Sequence, residues 1–357
     1  MNENLLVPNQ NTGVIIPPPR STDWIAGGET GIAFAYVLPD GKWRTYLPTR
    51  ETQKKRGLDV FGCVTFSALN SIETQVEFMA QAGIIGPTIW QEFTELGFID
   101  IEGNFNASDR FTAKMSGTTI NGNNMPAVWD SIRRDGLLPE RDWQFIEGMT
   151  WDEYYAEIPQ ELKDKAKKIL DILSFAYEFV PPGLIKEHIK QAPIHIAAPV
   201  CSPWNTAEVI QRCEITQAQH ATMLYGIEDS GIRNDFDHYV PYEKKLAADY
   251  FIPYAIKGLV SLKKAVLPVG DLRHNFATNI EFGQTSAEVK ILQDALRITG
   301  DFSAKVLSTG FYGEITRQAV LSFQVRNNVA PIAELRSVNG RRCGTKTRSK
   351  LNQLFNK

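Results

Sequence analysis

An α+β fold is predicted by two observations. Helical periodicities crowd into the first half of the chain, and three short β-branched or aromatic runs, each bounded by Pro, Gly or Asp, follow after it. Helices first and strands later argue against alternating βαβ units. A third observation, the uneven charge, sets the C-terminus apart as a second unit, whose helical patterns read as small and all-α. Net charge is -3, yet residues 281–357 carry 12 Lys and Arg against 6 Asp and Glu, a balance of +6, leaving 26 against 35, or -9, before them. With 357 residues and 43% hydrophobic content there is enough material for more than one core. The balance excludes a generally basic nucleic-acid binder and an acidic solvating chain, so no nucleic-acid partner is expected.

The elements follow in order. Residues 1–23 end in the triplet Pro17 to Pro19 and read as an extended arm. Two aromatic and β-branched runs flank Pro39-Asp40-Gly41, a hairpin signal. From Cys63 to about Ala82 the apolar positions Val64, Phe66, Leu69, Ile72, Val76 and Met79 recur at the spacing of an amphipathic helix. Further helices are expected at 125–135 and 160–178, and strands at "APIHIAAPV", "HATMLYGI" and "GIRNDF". The main domain is therefore 24–262, and residues 263–284 lack periodicity and read as a linker. A three-helix domain at 285–357 holds an internal echo, Gly313/Thr316 and Gly344/Thr347, in which each Thr suits a helix cap.

Cysteines stand at 63, 201, 213 and 343, too scattered for a disulfide framework; a single Cys201–Cys213 bridge stays open. No C-x-x-C pair or His/Cys/Asp cluster has metal-ligand spacing, so neither metal nor cofactor is expected. The N-terminus lacks a basic start before an apolar run, and no apolar stretch approaches the length of a membrane span. A soluble, monomeric, cytoplasmic protein is the expectation.

Cys63 begins its helix, where unpaired N–H groups favour a thiolate, although a buried structural cysteine has the same signature. A nucleophilic thiol needs an imidazole and a third group to orient it. Of five histidines, His188 and His238 lie in charged segments that read as surface, His274 lies in the linker, and His195 alternates within an apolar strand as a core residue. His220 opens a strand. Asn234 follows 14 residues later, a separation that lets a hairpin return beside it.

The stretches "CVTFSALNSIE", "QHATMLYGIED" and "IRNDF" resemble, in that order, the Cys, His and Asn segments of papain-like cysteine peptidases. "NGNNMPAVWDSIRRDGLLPERDWQF" is similar to that family's Gly-rich cleft segment, and Gly62 keeps its small residue before the nucleophile. The resemblance implies Cys63 as nucleophile, His220 as general base and acid, Asn234 as orienter, and Asn121, Gly122 and Asn123 as substrate-binding residues. The family's oxyanion Gln falls on Gly57 here, which leaves Gln53 as the nearest candidate; Val64 and Phe236 stand where the family has Trp.

The C-terminal pattern "VKILQDAL", "TGFYGEITRQAVLSFQ" and "GTKTRSKLN", preceded by Gly283, resembles peptidoglycan-binding domains of the three-helix type. That implies bacterial peptidoglycan as partner, with Tyr312, Thr316 and Arg317 as candidate glycan contacts. The whole plan is similar to phage endolysins: a thiol hydrolase cutting an amide bond of wall peptides, kept in the host cytoplasm until release, with virion association left open. The alternatives are a peptidase that cuts proteins and a virion or wall structural protein with a vestigial triad.

Overall fold

The computed structural model describes residues 13–16, 35–262, 272–302 and 308–355. They form two compact units, Met1–Phe78 with Phe93–Lys263, and Met79–Glu92 with Lys264–Lys357. Among the described residues no helix is long and apolar enough to cross a membrane.

The first unit is α+β. A two-residue pair, β1 (Lys54–Lys55) and β2 (Leu58–Asp59), leads into α1 (Cys63–Gln81). Its sequence pattern is amphipathic, but from Cys63 to Phe78 both faces are buried. The polar face is tolerated inside because its side chains find partners, as buried polar groups must. Phe105 N–H donates to Glu77 (2.8 Å) and Ala107 N–H to Glu73 (2.8 Å). Gln75 bridges to Gly258 O and to the N–H of Val260, both at 3.2 Å. After α2 (Pro87–Leu96) come α3 (Asp109–Met115), capped by Ser108, α4 (Met125–Asp135), capped by Asn124, α5 (Trp151–Tyr154) and α6 (Gln160–Lys167). Residues 168–171 tighten into a 3-10 turn, and the chain becomes β3 (Leu173–Phe179). The helix expected at 160–178 thus stops near its middle, because the aromatic run "LSFAYEF" is buried on both sides of a strand.

A short α7 (Ile185–His188) precedes β4 (Ile194–Ala198), β5 (His220–Ile227), β6 (Arg233–Phe236), β7 (Glu243–Leu246) and β8 (Tyr254–Leu262). The sheet order is β3-β8-β4-β5-β6-β7, antiparallel throughout. Gly258 on β8 has a packing reason: a Cβ there would come 2.0 Å from the Trp129 ring. Among the described residues the hairpin expected around Pro39 does not form, although its turn does, Gly41 N–H bonding Leu38 O at 2.9 Å. A 3-10 turn at Trp43–Tyr46 follows instead, with Trp43 buried and its indole N–H on Ile189 O.

In the second unit a strand pair, β9 (Ile280–Glu281) and β10 (Arg342–Cys343), joins α8 (Ala287–Ile298), α9 (Glu314–Arg326), α10 (Ile332–Val338) and α11 (Thr345–Phe355). Phe276 and Ile280 lie in its core with Leu292, Val320, Phe323 and Leu351. Residues 272–284 therefore belong to this unit and are not linker. The reason is that Phe276 N–H is bound to Asn352 Oδ1 (2.7 Å), and Arg348 holds the Phe276 carbonyl (3.1 Å). The echoed threonines sit inside α9 and α11 rather than at caps. Each is gripped by a glutamine 23 residues earlier, Gln293 on Thr316 (2.8 Å) and Gln324 on Thr347 (2.9 Å). The two glutamines also donate to Phe311 O and Arg342 O. The repeat in sequence is a repeat of these clamps.

Candidate active site

Cys63 is fully buried as the first residue of α1. The entry turn is set by Asp59, whose Oδ1 accepts Phe61 N–H at 3.1 Å, and by Phe61 itself, left-handed at φ 49°. The same carboxylate takes the Tyr239 hydroxyl on Oδ2 (2.6 Å) and Gln53 Nε2 on Oδ1 (2.9 Å). Tyr239 packs on His220, with ring centroids 5.4 Å apart. The turn before Cys63 and the histidine are thereby tied to one network.

His220 opens β5 with its ring fully buried. Its Nε2 lies 2.9 Å from Asp237 Oδ1, and the Cys63 side chain meets the same imidazole. Burial alone would drive the proton off this ring, but the Asp237 carboxylate and the Cys63 thiol outweigh it and push the His220 pKa up to about 10. Asp237 is buried too, which by itself would raise its pKa. His220 and Lys244 overcome this and hold it well below the usual carboxylate range. Four donors converge on Asp237. His220 and the His238 backbone N–H (2.7 Å) reach Oδ1, while Trp204 Nε1 (2.9 Å) and Lys244 Nζ (2.8 Å) reach Oδ2.

Asn234 does not join this group. The β5–β6 register pairs Met223 with Phe236 and Gly226 with Asn234, with a bulge between, so Asn234 lies beside Gly226, six residues along the strand from His220. Alternation also turns residue 234 to the face opposite 235 and 237. The turn closes at Glu228–Ile232, beyond residue 227, the midpoint about which a hairpin pairing 220 with 234 would turn. The polar alternation Asp235, Asp237 in "RNDFDH" was the available signal. Gln53 is corrected as well: its amide donates to Asp59 and to the Tyr239 hydroxyl. It can face an oxyanion only by releasing one of them.

His238 is buried rather than at the surface, stacked edge-on against His220 at 4.8 Å and tilted against Phe66 at 5.4 Å. Burial keeps it neutral, well below the usual histidine range. His220, Asp237 and His238 bring three potential metal-ligand atoms within 4.8 Å of one another, a spacing that the sequence did not disclose. Asp237 already holds a cation there, the Lys244 ammonium. His195 does serve the core: Trp129 Nε1 donates to its Nδ1 (3.3 Å), and its Nε2 bonds Ser67 Oγ (2.7 Å), which reaches Cys63 O (2.6 Å). Burial lowers its pKa to about 3, so it stays uncharged.

One segment of the arm lies in the site. Ile15 N–H bonds Asn123 O (2.7 Å) and Asn123 N–H bonds Gly13 O (2.9 Å), a parallel pairing that buries Val14. A Cβ on Gly13 would come within 3.0 Å of Cys63 Sγ, and one on Gly122 within 2.0 Å of Gly13 O, so both glycines permit close approach of two backbones beside the thiol. Of the expected substrate contacts, Gly122 and Asn123 therefore meet this segment through their main chain. The Asn123 side chain turns inward to Ser116 and Thr118, while Asn121 is exposed in the turn with its N–H on Thr119 Oγ1.

The loop carrying Trp204 is closed by a Cys201–Cys213 disulfide. Elsewhere in the unit a cavity of about 670 Å³ is lined in part by Glu51, Lys55, Asn106 and Glu140, with neither Cys63 nor His220 in its wall. In the second unit, Tyr312 and Thr316 are buried and internally bonded, Tyr312 to Gly340 O (2.8 Å), so neither offers a surface for glycan. Arg317 pairs with Glu314 and the Asn339 carbonyl. The exposed large apolar side chains at that turn are Phe311 and Ile315.

No protein-family model matches this chain, and no curated protein matches it either. Solved structures do show a likeness. Xylellain, a cysteine protease from Xylella fastidiosa, aligns at TM-score 0.46 and 12% identity over 72% of this chain and 97% of its own. Digestive procathepsin L 3 from the larval midgut of Tenebrio molitor aligns at 0.43 and 11%, over 70% of this chain and 74% of its own. Procathepsin B S9 from Trypanosoma congolense gives 0.44 and 9%, over 70% and 86%.

Proposed function

We propose that this chain is a cysteine peptidase in which Cys63 attacks the carbonyl, His220 moves the proton and Asp237 orients the ring. The observation that carries the reading is the chain's own Gly13–Ile16, an extended peptide seated by main-chain hydrogen bonds on Asn123 with Gly13 against the Cys63 sulfur. A groove that grips a backbone beside a thiol suits acyl transfer. In that reaction the imidazole takes the thiol proton, the thiolate adds to the carbonyl, and the imidazolium protonates the leaving amine. Water then attacks the thioester, with the same ring as base. The N-terminus of α1 directs backbone N–H groups to where an oxyanion forms.

Peptidoglycan peptides are the proposed substrate and the wall the proposed partner, on the strength of the C-terminal resemblance and its +6 balance. In this reading the protein is a phage endolysin, associated with a virion or released from the host. The Cys201–Cys213 disulfide supports work outside a reducing cytoplasm. A second reading, a peptidase of ordinary proteins, is favoured by the seated segment, a ribosomal peptide held through its main chain. Incubating wild type and Cys63→Ala with purified sacculi and with casein, and identifying released fragments by mass spectrometry, tests both. Thiol-dependent stem-peptide fragments support the first reading, and casein cleavage alone supports the second. If neither substrate is cut by wild type, or Cys63→Ala cuts as well as wild type, the peptidase reading fails.

A further inference from the structure

Asp237 presents a full negative charge to the imidazole, and a carboxylate alone in a buried site would hold the His220 proton too firmly for it to be passed to a leaving amine. The structure answers this charge. Lys244 on β7 is 5% exposed, and its Nζ lies 2.8 Å from Asp237 Oδ2. The other ammonium protons are taken by the Tyr239 carbonyl (2.8 Å) and the Pro241 carbonyl, which fix the head group in one place. Trp204 Nε1 completes Oδ2 from the disulfide-closed loop. A lysine this buried, with all its donors spent and its carboxylate bonded to a histidine, costs desolvation that a structural strand position does not need.

We propose that Lys244 is a positioning residue for the reaction: by pairing with Asp237 it makes an orienter with the net charge of an amide, so that His220 can both accept and return a proton. This rests on the peptidase reading for Cys63 and His220. The charged and titratable groups around the imidazole come from each packed element: Cys63 on α1, Asp59 behind Tyr239, His195 on β4, Asp235 and Asp237 on and after β6, His238, and Lys244 on β7. Asp235 is bonded to Thr222 (2.6 Å), and the two histidines are neutral, so Lys244 is the cation that offsets Asp237.

The test is a charge-swap cycle in the full chain: Lys244→Met, Asp237→Asn and the double variant. Lys244→Met leaves the carboxylate uncompensated, so the alkaline limb of kcat/KM should move up by about one pH unit and activity at neutral pH should fall about tenfold. Asp237→Asn leaves the ammonium uncompensated. Adding Lys244→Met to it should recover activity about tenfold over Asp237→Asn alone, whereas two merely structural lesions would compound. NMR titration of the His220 ring reads the same charge without a substrate and should show its midpoint raised in Lys244→Met. That readout stands even if no substrate is cut, which separates failure of this inference from failure of the peptidase reading. If Lys244→Met does not fold, the double variant, whose two changes together are neutral, decides. Losses that compound in the double variant, or a His220 midpoint unmoved in Lys244→Met, overturn the proposal.

Discussion

Asp237 accepts from His220 at 2.9 Å in a site closed to water, while Asn234 faces Gly226, and the two positions should answer differently to substitution. Asp237→Asn should cut kcat/KM about 10²-fold, the low end of what proton transfer by a positioned base contributes, and Asn234→Ala should stay near wild type. Steady-state kinetics on one peptide decides; equal losses would restore Asn234 to the mechanism. Away from this centre, Glu140 is pushed from the usual 4.5 to about 8 by burial first and by Glu51 next. The folded chain keeps a proton there that the unfolded chain has released. Stability from this group is therefore full below about pH 4.5 and drains away as pH rises toward about 8. Glu140→Gln should flatten Tm between those values and raise it at about pH 8, as thermal melts across that window would read.

At the level of elements, the helix start at Cys63, the helix at 125–135 and the strands carrying His195, His220 and Asn234 were all legible, because each is a run long enough to show its period or bounded by breakers. Register was not. Which residue of β6 meets His220 depends on a bulge and on where the turn is placed, and a shift of one residue reverses every side chain. The charged face of α1 hid its burial for a similar reason, since the backbone groups that satisfy Glu73, Gln75 and Glu77 come from distant segments. In the second unit, the echo in sequence was visible but its meaning lay in the glutamines that precede it. Gln324→Ala should cost about 1–3 kcal/mol, the penalty for stripping a buried hydroxyl and a carbonyl of their donor. Chemical denaturation followed by a probe in residues 272–355 would measure it; a change under about 0.5 kcal/mol would mean the clamp adds nothing.

For the molecule as a whole, Gly13–Ile16 is bonded to the main chain of Asn123, and on the proposed peptidase reading a substrate peptide would have to displace it. A variant lacking residues through Ile16 should turn over a short peptide about tenfold faster at low substrate concentration, because no fraction of its sites is spent on the arm. An unchanged rate would show that the segment leaves freely. The sulfur chemistry sets a different kind of limit. Cys63 must stay a thiol to react, while Cys201 and Cys213 must stay joined for the loop that delivers Trp204 to Asp237 to stay closed. One reagent serves the first need and harms the second. Activity plotted against dithiothreitol should climb and then decline, so the working environment of this protein has a floor and a ceiling of thiol–disulfide poise between which both conditions hold.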